Sequence, residues 1–232
     1  ELQALAGSAV VPLPVESFEG TFLPSTESTP IELLSEAASE ATSTKSLSPG
    51  GSGEGDSASG TAVTEFFGIG GYGQAFVYVV DCSDSMNEYG KFDRARYELL
   101  RSIEQLSINQ RYFVIFFNDV AHPMEGGQLL PATGEQLART IEWVNYAQAH
   151  GGTNPLPALL YALSLRPDAV YFLSDGQFNP SAIRVLRHQN RTNPRVGRKR
   201  VPIHTVAFVD RSTQALMRTI ARDSGGEHRF VK

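Results

Sequence analysis

The chain of 232 residues holds one cysteine, Cys82, so neither an internal disulfide nor a cysteine-based zinc cluster can form. Long apolar runs are also missing. None exceeds six residues, as at Ala75 to Val80, against the roughly 18 that a membrane-spanning helix needs, which excludes such a helix within this chain. The first 20 residues contain no Lys or Arg and residue 1 is Glu, so the basic start of a signal peptide is absent and the chain reads as a fragment or a processed form. Bases are scarcest in residues 1–60, where Lys45 alone stands against nine acids for a net charge of −8. Ser, Thr, Gly and Pro make up 29 of those 60 positions. Such a tract cannot bury enough apolar surface to offset the entropy of ordering, and it reads as a disordered acidic tether. Within it, Thr29-Pro30-Ile31-Glu32 supplies a capping Thr and a first-turn Pro for a short helix.

Residues 61–232 carry 16 acids and 19 bases, net +3, and nearly all the aromatic residues. A single domain belongs there. Ala75 to Val80, Tyr112 to Phe117, Ala169 to Leu173 and Ile203 to Val209 are apolar and rich in β-branched or aromatic residues, as strands buried on both faces are. Helical periods lie between them. Phe92, Ala95, Leu99, Ile103 and Leu106 form one stripe, and Leu137, Ile141, Val144 and Tyr146 a second, with Trp143 expected to pack its helix onto the sheet. A third helix runs through Ile183 and Leu186. A fourth is capped by Ser212 and ends at Gly225-Gly226. The alternation predicts an α/β fold: a doubly wound, mostly parallel sheet with helices on both faces.

In such a sheet ligands sit where strand C-termini turn into helices. The first strand ends in Asp81-Cys82-Ser83-Asp84-Ser85-Met86, a later one in Leu173-Ser174-Asp175-Gly176, and between them Gly151-Gly152-Thr153-Asn154-Pro155 makes a tight loop leading into a helix. Hydroxyl and carboxylate oxygens are hard ligands. They suit Mg²⁺ better than zinc, for which no Cys or His pair is placed.

Together these three segments resemble the metal-ion-dependent adhesion site (MIDAS) of a von Willebrand factor A (VWA) domain, and the resemblance covers residues 61–232. It implies a six-stranded sheet of order 3-2-1-4-5-6, with an antiparallel edge strand near His122 to Leu130. It also implies Mg²⁺ or Mn²⁺ held by Ser83, Ser85 and Thr153, with Asp81 and Asp175 acting directly or through waters. The last coordination position would take an Asp or Glu from a protein partner, so the expected role is a binding module and not an enzyme. Asp84 departs from the commonest bacterial pattern, which has Gly there, and puts ligand strength in doubt. Phe66-Phe67-Gly68 before the first strand leans toward planctomycete-like, cell-envelope VWA domains, with a cytoplasmic location left open. Membrane association is expected only through an anchor upstream of this chain. The alternative role is the regulatory VWA subunit of an AAA+ ATPase of chelatase or MoxR type. A third, metal-dependent hydrolysis, lacks an identifiable general base.

Other signals carry less. Gly68-Ile69-Gly70-Gly71-Tyr72-Gly73 has the glycine spacing of a dinucleotide loop but precedes a strand, and reads as a lead-in to it. Cys82 has no neighbouring His or Cys to activate its thiol. The five histidines are dispersed. Arg184, Arg187, Arg191, Arg198, Lys199 and Arg200, with Arg195, form an acid-free stretch in which the first three share a helix face. It is a candidate surface for an anionic partner, and no specific nucleic-acid contact is expected because aromatic residues are not interleaved. Ser83→Ala and Asp175→Ala are expected to abolish metal binding with little loss of folding.

Overall fold

A computed structural model describes residues 63–176, 178–192, 197, 199–208 and 214–232. The acidic tether with its expected short helix, the Ser212 cap, Arg195 and Arg198 lie outside the described residues.

The four apolar runs form parallel strands: β3 (Ala75–Asp81), β4 (Arg111–Phe117), β7 (Ala169–Ser174) and β8 (Ile203–Phe208). Nearly every residue in them is buried because helices cover both faces, which is why their sequences do not alternate. The order across the sheet is β5-β4-β3-β7-β8-β9, with β9 (His228–Val231) parallel at one edge. At the other edge the expected single strand is two short antiparallel pieces on β4: β5 (Ala121–Pro123) and β6 (Leu130–Pro131). The sheet therefore has seven strands rather than six, in the expected spatial order.

Helix α1 (Lys91–Glu104) buries Phe92, Ala95, Leu99 and Ile103, the stripe read from the sequence. Helix α2 (Gly134–Tyr146) is capped by Thr133, whose hydroxyl accepts from the Gln136 amide, and Trp143 rests its ring 5.1 Å from that of Phe116. Tyr146 departs from the predicted stripe: it ends the helix 78% exposed. Helices α3 (Leu156–Ser164), α4 (Ser181–Gln189) and α5 (Gln214–Ser224) follow. Phe113 of β4 meets Tyr161 of α3, whereas Phe116, an odd three residues on, meets Phe92 of α1. Alternate strand positions thus feed opposite helix layers.

The glycine-rich segment before β3 is more than a lead-in. It is an antiparallel hairpin, β1 (Val63–Phe66) and β2 (Ile69–Tyr72), turned by Phe67 and Gly68, both at left-handed φ values of 49° and 73°. The turn directs Phe66 onto Tyr78 and Tyr171 and Phe67 onto Phe208, covering the sheet on the face that carries Tyr78, which also binds Ser102 of α1. Gly71 is required here, because a Cβ would lie 2.1 Å from the Tyr171 hydroxyl oxygen.

Beneath the hairpin, Tyr78, Tyr171 and His204 occupy paired positions on three adjacent strands and stack at 5.3 and 5.2 Å. His204 Nδ1 accepts the Glu227 amide at 3.1 Å, which fixes the neutral ring with its proton on Nε2. Burial holds this imidazole below its ordinary value of 6.5, against a smaller opposing effect of Glu227, and burial and then Arg218 lower His228 as well. At these two histidines the unfolded chain therefore binds more protons than the native one below that value, so the stability they contribute at neutral pH is lost as pH falls. Between about pH 7.5 and about pH 5.5, urea unfolding should show the stability of His204→Phe, which keeps the stack, changing less unfavourably than that of the wild type, because Asp81, whose buried carboxyl is raised, acts with the opposite sign in both proteins.

Candidate metal centre

The sheet order reverses at β3, whose sequence neighbours β4 and β7 lie on its two sides, and a crevice opens at the carboxyl ends of these strands. All three segments singled out in the sequence arrive there. Asp81 closes β3, Ser83 and Ser85 follow it, and Asp175 follows β7. Gly151 to Thr153 bridge α2 and α3. The loops are tied together by backbone: the Asp84 amide donates to Gly151 O at 2.9 Å, His150 N to Cys82 O at 2.7 Å, and Asn154 N to Asn118 O at 2.7 Å.

The side chains converge. Ser83 and Ser85 hydroxyls are 3.2 Å apart, and Ser85 donates to Asp175 Oδ1 at 2.8 Å. From the opposite loop Thr153 comes against the residue after Asp175: a Cβ on Gly176 would lie 2.8 Å from its hydroxyl oxygen, so that residue must be small. Asp81 is buried, and its Oδ1 accepts the Ser83 amide at 2.9 Å while its Oδ2 accepts the Ser174 hydroxyl at 2.5 Å. Burial raises its carboxyl to about 6, hydrogen bonds from Ser174 and Ser83 pull the other way, and the Asp175 charge adds a little to the rise. A buried carboxylate held above its usual range is one that a bound cation would favour in its ionised form.

Among the described residues no three His, Cys, Asp or Glu side chains cluster as metal ligands. The donor set is two carboxylates with three hydroxyls. That set fits a hard divalent ion, whose remaining positions go to water or an incoming oxygen ligand. Asp84, the departure from the bacterial pattern, is exposed at the start of a 3-10 segment, Asp84–Gly90, that leads into α1.

Four residues beside the crevice escaped the sequence reading. Ser174 orients Asp81. Asn118, buried past the end of β4, donates to His150 O and accepts from the Val120 amide. Asp119 accepts the Gly152 amide at 2.8 Å and lies so close that a Cβ there would be 2.4 Å from its Oδ1. This explains the Gly-Gly pair as a seat for the Asp119 carboxylate. The fourth is Lys91, at the start of α1, whose Nζ lies 2.5 Å from Asp175 Oδ2 with both side chains buried. An Asp beside an apolar strand was a visible signal for Asp119, but nothing in the spacing marks Lys91.

The remaining candidates lie elsewhere. Cys82 is buried, and its thiol is pushed up to about 12 by burial and then by Asp81, which leaves it a packing residue. Of the described members of the basic stretch, Arg184 and Arg187 lie on α4, and Lys199 and Arg200 shortly precede β8. Arg191 does not share a face of α4 with Arg184 and Arg187, because the helix ends at Gln189. Arg187 pairs with Asp223 at 2.5 Å, and Arg200 donates to the Asp223 backbone oxygen at 3.1 Å. Lys199 lies between Arg200 and Arg198.

No protein-family model and no curated protein matches the sequence. Solved structures match the architecture. A von Willebrand factor type A protein from Catenulispora acidiphila superimposes with a TM-score of 0.59 at 19% identity, covering 71% of this chain and 40% of that one. The fold is that of a VWA domain. BatB from Bacteroides thetaiotaomicron shares it at a TM-score of 0.53 and 14% identity, covering 69% of this chain and 91% of its own. So does proximal thread matrix protein 1 of the mussel byssus, with a zinc-occupied MIDAS motif, at 0.50 and 15%, covering 67% and 41%. This chain thus spans less than half of two of these structures.

Proposed function

We propose that the VWA domain is a divalent-metal-dependent protein-binding module. The observation that carries this reading is the convergence of Asp81, Ser83, Ser85, Thr153 and Asp175 at the carboxyl ends of β3 and β7. Ser83, Ser85 and Thr153 would hold Mg²⁺ or Mn²⁺ through neutral hydroxyls, with Asp81 and Asp175 contributing directly or through water. Such an ion keeps much of its charge and supplies a Lewis-acidic position for a carboxylate oxygen of a partner. The zinc-occupied MIDAS of the mussel protein supports a divalent ion at this place in the fold.

The rim suits a protein surface. Val120 stands 55% exposed on the loop after β4, Tyr146 78% exposed at the end of α2, and Tyr89 92% exposed on the segment between Ser85 and Lys91. Exposed tyrosines around a buried polar centre are the composition of a binding patch: a charge anchor surrounded by groups that exclude water. At the crevice Lys91 is held by Asp175 and Ser174 by Asp81.

Calorimetric titration of Mg²⁺ into metal-stripped protein tests the reading. Saturable binding is expected in the wild type, with affinity lower by on the order of 100-fold in Ser83→Ala. That variant removes one hydroxyl at a loop and should change unfolding stability by no more than about 1 kcal/mol. A wild type that does not bind, or a Ser83→Ala protein that binds equally well, contradicts it.

A further inference from the structure

Lysine is among the residues least often buried, and an ammonium out of water requires a partner. Lys91 is 6% exposed, and its Nζ lies 2.5 Å from Asp175 Oδ2 and 3.6 Å from the largely exposed Glu88. The backbone is shaped to bring it there. Tyr89 and Gly90 both take left-handed conformations, with φ of 54° and 66°, and this double kink separates the 3-10 segment from α1. A non-glycine residue in that region costs about 1 kcal/mol or more, and the cost is carried here by a side chain that makes almost no burial of its own. What the kink achieves is the inward direction of the first side chain of α1.

The ion pair divides the Asp175 carboxylate. Oδ1 faces the Ser85 hydroxyl, on the side of the hydroxyl donors, and Oδ2 faces the ammonium. We propose that Lys91 is a resident counter-cation of the crevice, which competes with a divalent ion for Asp175. The proposal rests on the reading of the crevice as an ion site and adds a determinant of its affinity. Without an ion, Lys91 neutralises one of two buried carboxylates, so the crevice stays formed. With an ion, the ammonium is a like charge at short range and holds back one Asp175 oxygen, so the ion binds more weakly than the five donors alone would bind it. A partner carboxylate adds the negative charge that this arrangement lacks, and ion and partner therefore bind cooperatively.

The test compares wild type, Lys91→Met, which keeps the apolar stem without the charge, and Lys91→Arg, which keeps the charge. Mg²⁺ is titrated calorimetrically into each stripped protein, and each is melted in EDTA and in saturating Mg²⁺. Lys91→Met should bind Mg²⁺ about tenfold tighter or more. It should melt lower than wild type in EDTA and recover most of that deficit in Mg²⁺, while Lys91→Arg stays close to wild type in both. Should Lys91→Met fail to fold, Lys91→Gln keeps a hydrogen bond to Asp175 without the charge and is expected to show the same tightening. Equal or weaker Mg²⁺ binding by the neutral variants overturns the role of Lys91 alone. No binding by any of the proteins overturns the ion site itself.

Discussion

Asp175→Ala is expected to destabilise the domain by about 3 kcal/mol or more, measured by urea unfolding in EDTA at neutral pH. The carboxylate side chain is 2% exposed and its partner Lys91 7%, so removal of the acid leaves a buried ammonium with, among the described residues, only Glu88 as an ion-pair partner, 3.6 Å away and 64% exposed. The cost is that of an unpaired charge, which exceeds the net worth of the pair. Ser85 loses its acceptor in the same step. The double variant Asp175→Ala/Lys91→Met should regain most of the loss, because neither charge then remains buried alone. A single variant as stable as wild type would show that the pair is solvated in solution. Read from sequence, Asp175 is a loop carboxylate at a strand end whose removal spares the fold; the buried pair revises that expectation and leaves the one for Ser83 in place.

Gly226→Ala is expected to cost about 3 kcal/mol by forcing backbone atoms apart. A Cβ at this position would lie 2.2 Å from the carbonyl oxygen of Ile203 and 2.9 Å from the amide of His204. Neither can rotate away, since both belong to β8, which pairs with β7 on one side and β9 on the other. Relief requires the α5 to β9 connection to lift, and the Thr205 amide would lose the Glu227 carbonyl that it bonds at 2.8 Å. Gly225→Ala is the control. That residue has φ of +84° but open space around a Cβ, so its substitution should cost only about 1 kcal/mol of backbone strain. Equal melting points for the two variants would contradict the steric account.

These two positions also mark how far the sequence could be read. Strands β3, β4, β7 and β8 were legible because burial on both faces leaves an unbroken apolar run, and their order followed from the resemblance. The edges carried no pattern of their own, although the resemblance placed an antiparallel edge strand near His122 to Leu130, where β5 and β6 lie. β9 buries one residue of four and β6 pairs through only two, so neither leaves a hydrophobic signature. Helix α3 is apolar on nearly every side, Leu156 to Leu163, and shows no stripe although its start after Pro155 was visible. The hairpin was hidden because its turn uses Phe67, not the usual Asn or Asp, in the left-handed conformation. At the crevice, the five oxygen-bearing residues stood in three separated segments whose loop positions could be read. Lys91, Ser174, Asn118 and Asp119 are defined by what they touch 32 to 93 residues away, as in Asn118 to His150 or Ser174 to Asp81. Sequence spacing carries no trace of such contacts.

The most direct measurement is a crystal structure of the protein grown with Mn²⁺, with anomalous diffraction recorded at the manganese edge. The account predicts one strong peak in the crevice, within coordination distance of the Ser83, Ser85 and Thr153 hydroxyls, absent from crystals of Asp81→Ala. A crevice without a peak at saturating Mn²⁺, or a peak held by other residues, would contradict it.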